Sequence, residues 1–282
     1  MNEQLSIHKL NIGPTLIEGL KKPDIYHHRI EATNGIRTVV DIGCGVTLGG
    51  SELVVIAGPC SVESLEVLES QTRSGVNAGA KAIRGGAFKP RTDPYSFQGL
   101  AISGLEHLSD MRKKYDVAIV TESTGMNNLV SVARHADVIQ IGTRNAQSYE
   151  FLAAAALMDK PILLKRGWKS TVEEWLLAAE LILAVKNKYD LVNTQVILCE
   201  RGIRGDDGRS QLDVNAILQA KKLSHLPVVV DPTHSSNDAS EVEDNVWRGI
   251  WAGADGVLIE VHDDPQHAKS DGKRTISTMQ LT

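Results

Sequence analysis

The chain has 282 residues, 42% of them hydrophobic, a net charge of -5 and three cysteines. That length builds one large domain or two small ones around a sizeable core, and the mildly acidic balance excludes a protein that binds nucleic acid or membrane through its overall charge. No apolar run approaches the roughly 20 residues of a bilayer span, the opening MNEQLSIHKLNIG lacks a signal peptide's apolar segment, and so few cysteines point to a reducing cytoplasm rather than a disulfide framework.

Residues 1–52 read as an N-terminal extension, polar over its first 30 or so positions and closing with a β-hairpin. In VVDIGCGVTLGGSELVVI an alternating run precedes a turn around Leu48-Gly49-Gly50-Ser51, and the turn leads into a first buried strand. Residues 53–282 then alternate short β-branched runs with longer amphipathic stretches. The runs are LVVIAG, AKAIRGG, VAIVTE, VIQIGT, PILLKRG, QVILCERG, PVVVDPTH and GVLIEVH. Near-continuous apolar runs of this kind are parallel strands buried on both faces. Between them lie helices: ESLEVLESQTRSGVNAG ends at Gly79, and STVEEWLLAAELILAVKNK opens on a capping box from Ser170 to Glu173. Eight such units predict a (β/α)8 TIM barrel, with the hairpin plugging its bottom and a short helix closing the chain; the alternative is a doubly wound open sheet.

In this fold the chemistry sits where strands end. The strand ends and the loops after them carry Arg84, Lys89, Arg91, Arg144, Lys165, Arg166, Arg201 and Arg204. In an acidic protein, that many cations on one rim would repel unless an anion neutralised them, and Arg and Lys are the usual binders of phosphate and carboxylate. The competing reading for Arg166 and Arg204 is outward pairing with helix carboxylates, since strand side chains alternate faces. A second set, Cys60, His234, Glu260 and Asp271, comes from strands 1, 7 and 8 and the loop after 8, which become neighbours on closure. A thiolate, an imidazole and two carboxylates suit a divalent metal ion of the Mn, Fe, Co or Zn class. Cys60 read alone would be a small buried residue, but a carboxylate ending GVLIE is costly to bury unpaired. Cys199 belongs to the core and His225 and His267 to the surface, while Cys44 and His262 take no role.

The segments AGPCSVES, RGGAFKPRTDPYSFQGL, QIGTRNAQ, LLKRG, CERGIR, DPTHS and EVH followed by SDG resemble the 3-deoxy-D-arabino-heptulosonate 7-phosphate (DAHP) synthases, type I-beta branch, over roughly residues 36 to 275. The resemblance implies a transferase joining phosphoenolpyruvate to erythrose 4-phosphate at the head of the shikimate pathway. It implies metal ligands at Cys60, His234, Glu260 and Asp271. It implies phosphoenolpyruvate contacts at Arg84, Lys89, Glu122, Thr143, Arg144, Lys165 and Arg201, and an aldose-phosphate loop at Lys89, Pro90, Arg91 and Thr92. Lys89 and Glu122 are the candidate catalytic groups, as proton donor and water-positioning carboxylate. A homo-oligomer, dimer or tetramer, is expected. The chain departs from the family pattern at Gly205–Gln211 and at Ser236–Ala239, which bears on the aldose end of the site. The alternatives are a relative using another aldose phosphate, as the octulosonate-type enzymes do, and a catalytically inactive regulatory barrel.

Overall fold

Eight parallel strands close on themselves in the computed structural model, which describes residues 16–21, 37–91 and 93–281. They are β1 (Val54–Gly58), β2 (Ala82–Arg84), β3 (Ala118–Ser123), β4 (Val138–Ile141), β5 (Ile162–Lys165), β6 (Val196–Glu200), β7 (Val228–Val230) and β8 (Gly256–His262). Each pairs in parallel with the next, and β8 pairs with β1 to complete the (β/α)8 barrel. Helices α1 (Leu65–Asn77), α2 (Ala101–Tyr115), α3 (Met126–His135), α4 (Tyr149–Ala156), α5 (Val172–Lys188), α6 (Val214–Leu223) and α7 (Val242–Trp251) follow the first seven strands. After β8 the expected short helix is replaced by a three-residue 3-10 turn, Pro265–His267, and a two-residue strand, Ile276–Ser277, that extends the sheet beside β8. The polar extension lies outside the described residues except at 16–21, where Leu16 is buried and its carbonyl accepts from Lys188 Nζ.

The strands form because their residues are apolar on both faces. The outer faces meet the helices, and the inner faces of Ile56, Ala82, Val120, Leu163, Ile197, Cys199 and Leu258 fill the barrel. Val40, Ile42 and Leu48 join that same inner cluster with no exposed surface, so the N-terminal hairpin plugs the barrel's bottom. Its turn is not where the sequence pattern suggested. Val40–Asp41 pairs antiparallel with Thr47–Leu48, and the chain reverses at Gly43, Cys44 and Gly45, all at positive φ. Residues 49–53 are the link to β1 instead, because β1 is committed to parallel partners on both sides. The capping box at α5 is also one residue later than the sequence pattern implied. Ser170 is still in a turn, its N–H donating to the Gly167 carbonyl, so Thr171 caps the helix and exchanges hydrogen bonds with Glu174.

Candidate active site

At the C-terminal mouth, the ends of β1 and β8 bring a thiol and two carboxylates together. Cys60 Sγ, a carboxylate oxygen of Glu260 and one of Asp271 lie within 4.8 Å of one another. Cys60 follows a kink at Gly58, whose φ of 150° and closeness to the Arg84 carbonyl exclude a Cβ. The kink turns Cys60 inward while pairing with the β2 end resumes at Ser61 and Gly86. Burial pushes the Cys60 thiol up to about 12, with Glu260 adding to the effect, and the thiol donates to Asp271 Oδ2 at 3.2 Å. Burial works against the Asp271 charge too, but His234, Cys60, Lys89 and Arg274 outweigh it and hold the carboxyl at about 2. His234 adjoins this trio through Glu260, its Nε2 3.6 Å from Glu260 Oε1. The other ring nitrogen lies 2.8 Å from Asp231 Oδ2, which fixes the ring's orientation.

These residues fit a divalent cation. Two ligands of one tetrahedral ion stand about 3–4 Å apart, and Glu260 Oε2 is buried with no partner, an acceptor left without a donor in the residue that joins the cluster.

The rim cations differ in what they meet. Arg84 Nη1 donates to Glu260 Oε1 at 2.8 Å and to the Pro59 carbonyl at 2.7 Å. Lys165 donates to Asp231 Oδ2 at 2.7 Å, and Arg166 to Glu200 and Asp213 at 3.1 and 2.8 Å. All three are buried and neutralised from within. Arg166 is thus structural, tying β5 to β6 and to the start of α6. Arg204 is exposed on a small hairpin, Ile203–Arg204 with Ser210–Gln211. Arg144 and Arg201 differ from these. Among the described residues neither has a carboxylate within ion-pair reach; both lie over the Trp168 ring, at 5.3 and 5.9 Å from its centroid. Arg201 is 6% exposed, its Nη1 has no partner, and burial lowers its pKa despite the opposing pull of Asp231, with Arg274 adding to the effect.

The stretch after β2 crosses this mouth. Lys89 Nζ donates to the Cys60 carbonyl at 3.0 Å and to Cys60 Sγ at 3.1 Å. Pro90 comes next, and Arg91 Nη2 reaches the Lys269 carbonyl at 3.4 Å, in the loop that carries Asp271. Glu63 holds the same loop by accepting from the Lys269 N–H, and Ser61 by bonding the Ser270 hydroxyl. Thr92 lies outside the described residues. Glu122, at the end of β3, accepts from Gln140 Nε2 at 2.9 Å. Its carboxylate occupies the space where a Cβ on Gly142 would stand, just before Thr143 and Arg144.

Of the residues singled out by sequence, the structure brings Cys60, Arg84, Lys89, His234, Glu260 and Asp271 into one contiguous set. Glu122 stands beside it, while Arg144 and Arg201 stand over Trp168. Asp231, Gln140 and Trp168 were not assigned. The first two had a signal, since Asp231 ends PVVVD and Gln140 interrupts VIQI, polar groups in buried strands that require partners. The two departures from the family pattern meet in space: the Asn237 side chain bonds both backbone groups of Ser210.

A closed barrel with unneutralised arginines and a thiol–carboxylate cluster at one mouth defines a phosphate-handling enzyme suited to a divalent metal. The chain belongs to the DAHP synthetase I family, whose model matches residues 31–282, and is an enzyme of that family. It is 46% identical over 241 residues to a phospho-2-dehydro-3-deoxyheptonate aldolase from Thermotoga maritima, covering 85% of this chain and 69% of the relative. A 2-dehydro-3-deoxyphosphooctonate aldolase from Fusobacterium nucleatum is 28% identical over 252 residues, covering 83% and 88%. The crystal structure of the Thermotoga maritima DAHP synthase superposes with a TM-score of 0.84 at 43% identity, over 93% of this chain and 75% of that one. No helix among the described residues is long and apolar enough to cross a membrane.

Proposed function

We propose that this chain condenses phosphoenolpyruvate with erythrose 4-phosphate to give DAHP and phosphate, in the cytoplasm and as the entry to the shikimate pathway. The observation that carries the reading is the juxtaposition of unneutralised Arg144 and Arg201 with the Cys60–Glu260–Asp271 cluster and the Lys89–Arg91 loop. Cys60, His234, Glu260 and Asp271 would hold the metal ion, which when bound supplies Lewis acidity to the aldehyde oxygen.

Arg144 and Arg201 receive the phosphate of phosphoenolpyruvate, with Thr143 beside them, while Arg84, whose Nε has no partner, and Lys165 donate hydrogen bonds to its carboxylate. Arg91, Pro90 and Thr92 hold the aldose phosphate. C3 of phosphoenolpyruvate then attacks the aldehyde carbon, and the aldehyde oxygen takes a proton from Lys89 to become a hydroxyl. Water held by Glu122 adds at C2 and loses a proton. The C2–O bond to phosphate then breaks as the remaining hydroxyl proton passes to the departing phosphate, leaving a ketone. Two anions must be brought together, so positioning and charge neutralisation supply most of the rate gain.

The second reading is an octulosonate-type enzyme taking arabinose 5-phosphate. The greater identity to the heptonate aldolase and the Lys89-Pro90-Arg91-Thr92 loop favour the first. A phosphate-release assay with phosphoenolpyruvate and each aldose phosphate decides. The expected result is a specificity constant at least tenfold higher for erythrose 4-phosphate, the effect of a single misfitted contact. Activity should vanish with chelator and return with Mn or Co. A preference for arabinose 5-phosphate, or full turnover by chelated protein, overturns the corresponding part of the proposal.

A further inference from the structure

Two guanidinium groups from different strand ends share one aromatic ring. Arg144 belongs to the turn after β4, Arg201 directly follows β6, and Trp168 belongs to the loop after β5, the strand between them. The loop is built to hold that ring in place. Gly167 accepts from the Ser170 N–H in a tight turn, and the Trp168 carbonyl accepts from the Arg204 N–H at 3.3 Å. Arg144 is exposed and Arg201 is buried; the buried rim cations Arg84, Lys165 and Arg166 are instead oriented by carboxylates. A carboxylate would also orient Arg144 and Arg201, but it would cancel the charge that an anionic substrate needs. An aromatic face attracts guanidinium groups through its quadrupole and carries no net charge to compete with a ligand.

We propose that Trp168 is a positioning residue for the phosphoenolpyruvate site, holding Arg144 and Arg201 side by side against their mutual repulsion so that both meet one anionic group. This rests on the function proposed above. The ring acts through the arginines and touches no reacting atom, so its loss weakens binding without altering the chemical step.

The test compares wild type, Trp168→Phe and Trp168→Leu in steady-state assays, with direct calorimetric titration of phosphoenolpyruvate. Losing the ring should raise KM and Kd for phosphoenolpyruvate about tenfold in Trp168→Leu, the scale of one or two cation–π contacts. The Phe variant, which keeps a weaker aromatic face, should recover part of that loss. Neither kcat nor KM for the aldose phosphate should change more than about threefold. A merely structural role would reduce the active fraction, lowering kcat with KM unchanged. The tryptophan fluorescence of wild type should respond to phosphoenolpyruvate and that of Trp168→Phe should not. Phosphoenolpyruvate affinities equal within twofold across all three proteins overturn the proposal while leaving the function intact. Absence of phosphoenolpyruvate binding to wild type overturns both. If Trp168→Leu does not fold, Trp168→Phe decides on its own: wild-type affinity together with an unchanged fluorescence response sinks the idea.

Discussion

Asp231 and Lys165 are a buried pair 2.7 Å apart at the mouth of the barrel, and the aspartate also orients His234. Burial works against the Asp231 charge, but His234 and Lys165 outweigh it and hold the carboxyl well below its ordinary value. Removing one partner strands the other, so Asp231→Ala should cost about 3–5 kcal/mol in denaturant unfolding. The double variant Asp231→Leu with Lys165→Met should recover most of that stability and none of the activity. The pH dependence has a definite sign. A carboxyl depressed in the fold contributes stability above the unfolded value of about 3.9, and that contribution drains away as pH falls from there toward the folded value. Wild type should therefore lose stability below about pH 4 more steeply than the double variant; parallel curves would contradict this. Gly142 offers a sharper separation of function from stability. A methyl there would overlap the Glu122 carboxylate, the far end of a flexible side chain, so Gly142→Ala should move Glu122 rather than strain the backbone. The expected result is a melting temperature near wild type with kcat lowered about tenfold to a hundredfold, the range of a displaced proton-handling group. An unchanged kcat would remove Glu122 from the reaction.

Elements were legible in the sequence wherever burial alone determined them. The β-branched runs ending VTE, ILLK and VILCE became strands because no other arrangement buries both faces of such a run. What misread was local geometry decided by a competing partner. The hairpin turn moved to Gly43–Gly45 because β1 could not pair antiparallel, and the α5 cap moved to Thr171 because Ser170 was held by Gly167. These two kinds of feature carry different energies. Thr171→Ala removes one cap and should cost about 1 kcal/mol, without effect on the site. Gly58→Ala forces a side chain into a positive-φ position against the Arg84 carbonyl, which should cost about 3 kcal/mol or more. It should also shift Cys60 and Arg84 together, so metal binding falls with stability. Paired urea melts and metal titrations check both; a Gly58→Ala protein that binds metal as wild type does would show that the kink is not what aims Cys60.

Taken as a whole molecule, the barrel is an acidic body with a cationic mouth, and the sequence showed the cations without showing which were already neutralised. That information lay in pairings across the chain: Arg84 meets Glu260 across 176 positions and Lys165 meets Asp231 across 66. Only closure of the barrel reveals that Arg144 and Arg201, which lie over Trp168, have no carboxylate within ion-pair reach among the described residues. Arg201 is also buried, which disfavours its charge more than the more distant Asp231 and Glu200 support it, and Arg274 adds a like charge. An anion that enters the mouth relieves all of this at once, and it binds the folded state alone. Phosphoenolpyruvate at a hundred times its Kd should stabilise the fold by about 2.7 kcal/mol. At about 2–4 °C per kcal/mol for a domain of this size, the melting temperature should rise by about 5–10 °C. Arg201→Met should abolish most of that rise. Arg204→Met, which removes an exposed arginine whose side chain bonds the Gly208 carbonyl of its own hairpin, should keep it. Scanning fluorimetry with graded phosphoenolpyruvate, and with inorganic phosphate as the simpler anion, measures the three proteins side by side. Equal shifts in Arg201→Met and wild type would mean that the unneutralised charge of Arg201 is not what the anion answers.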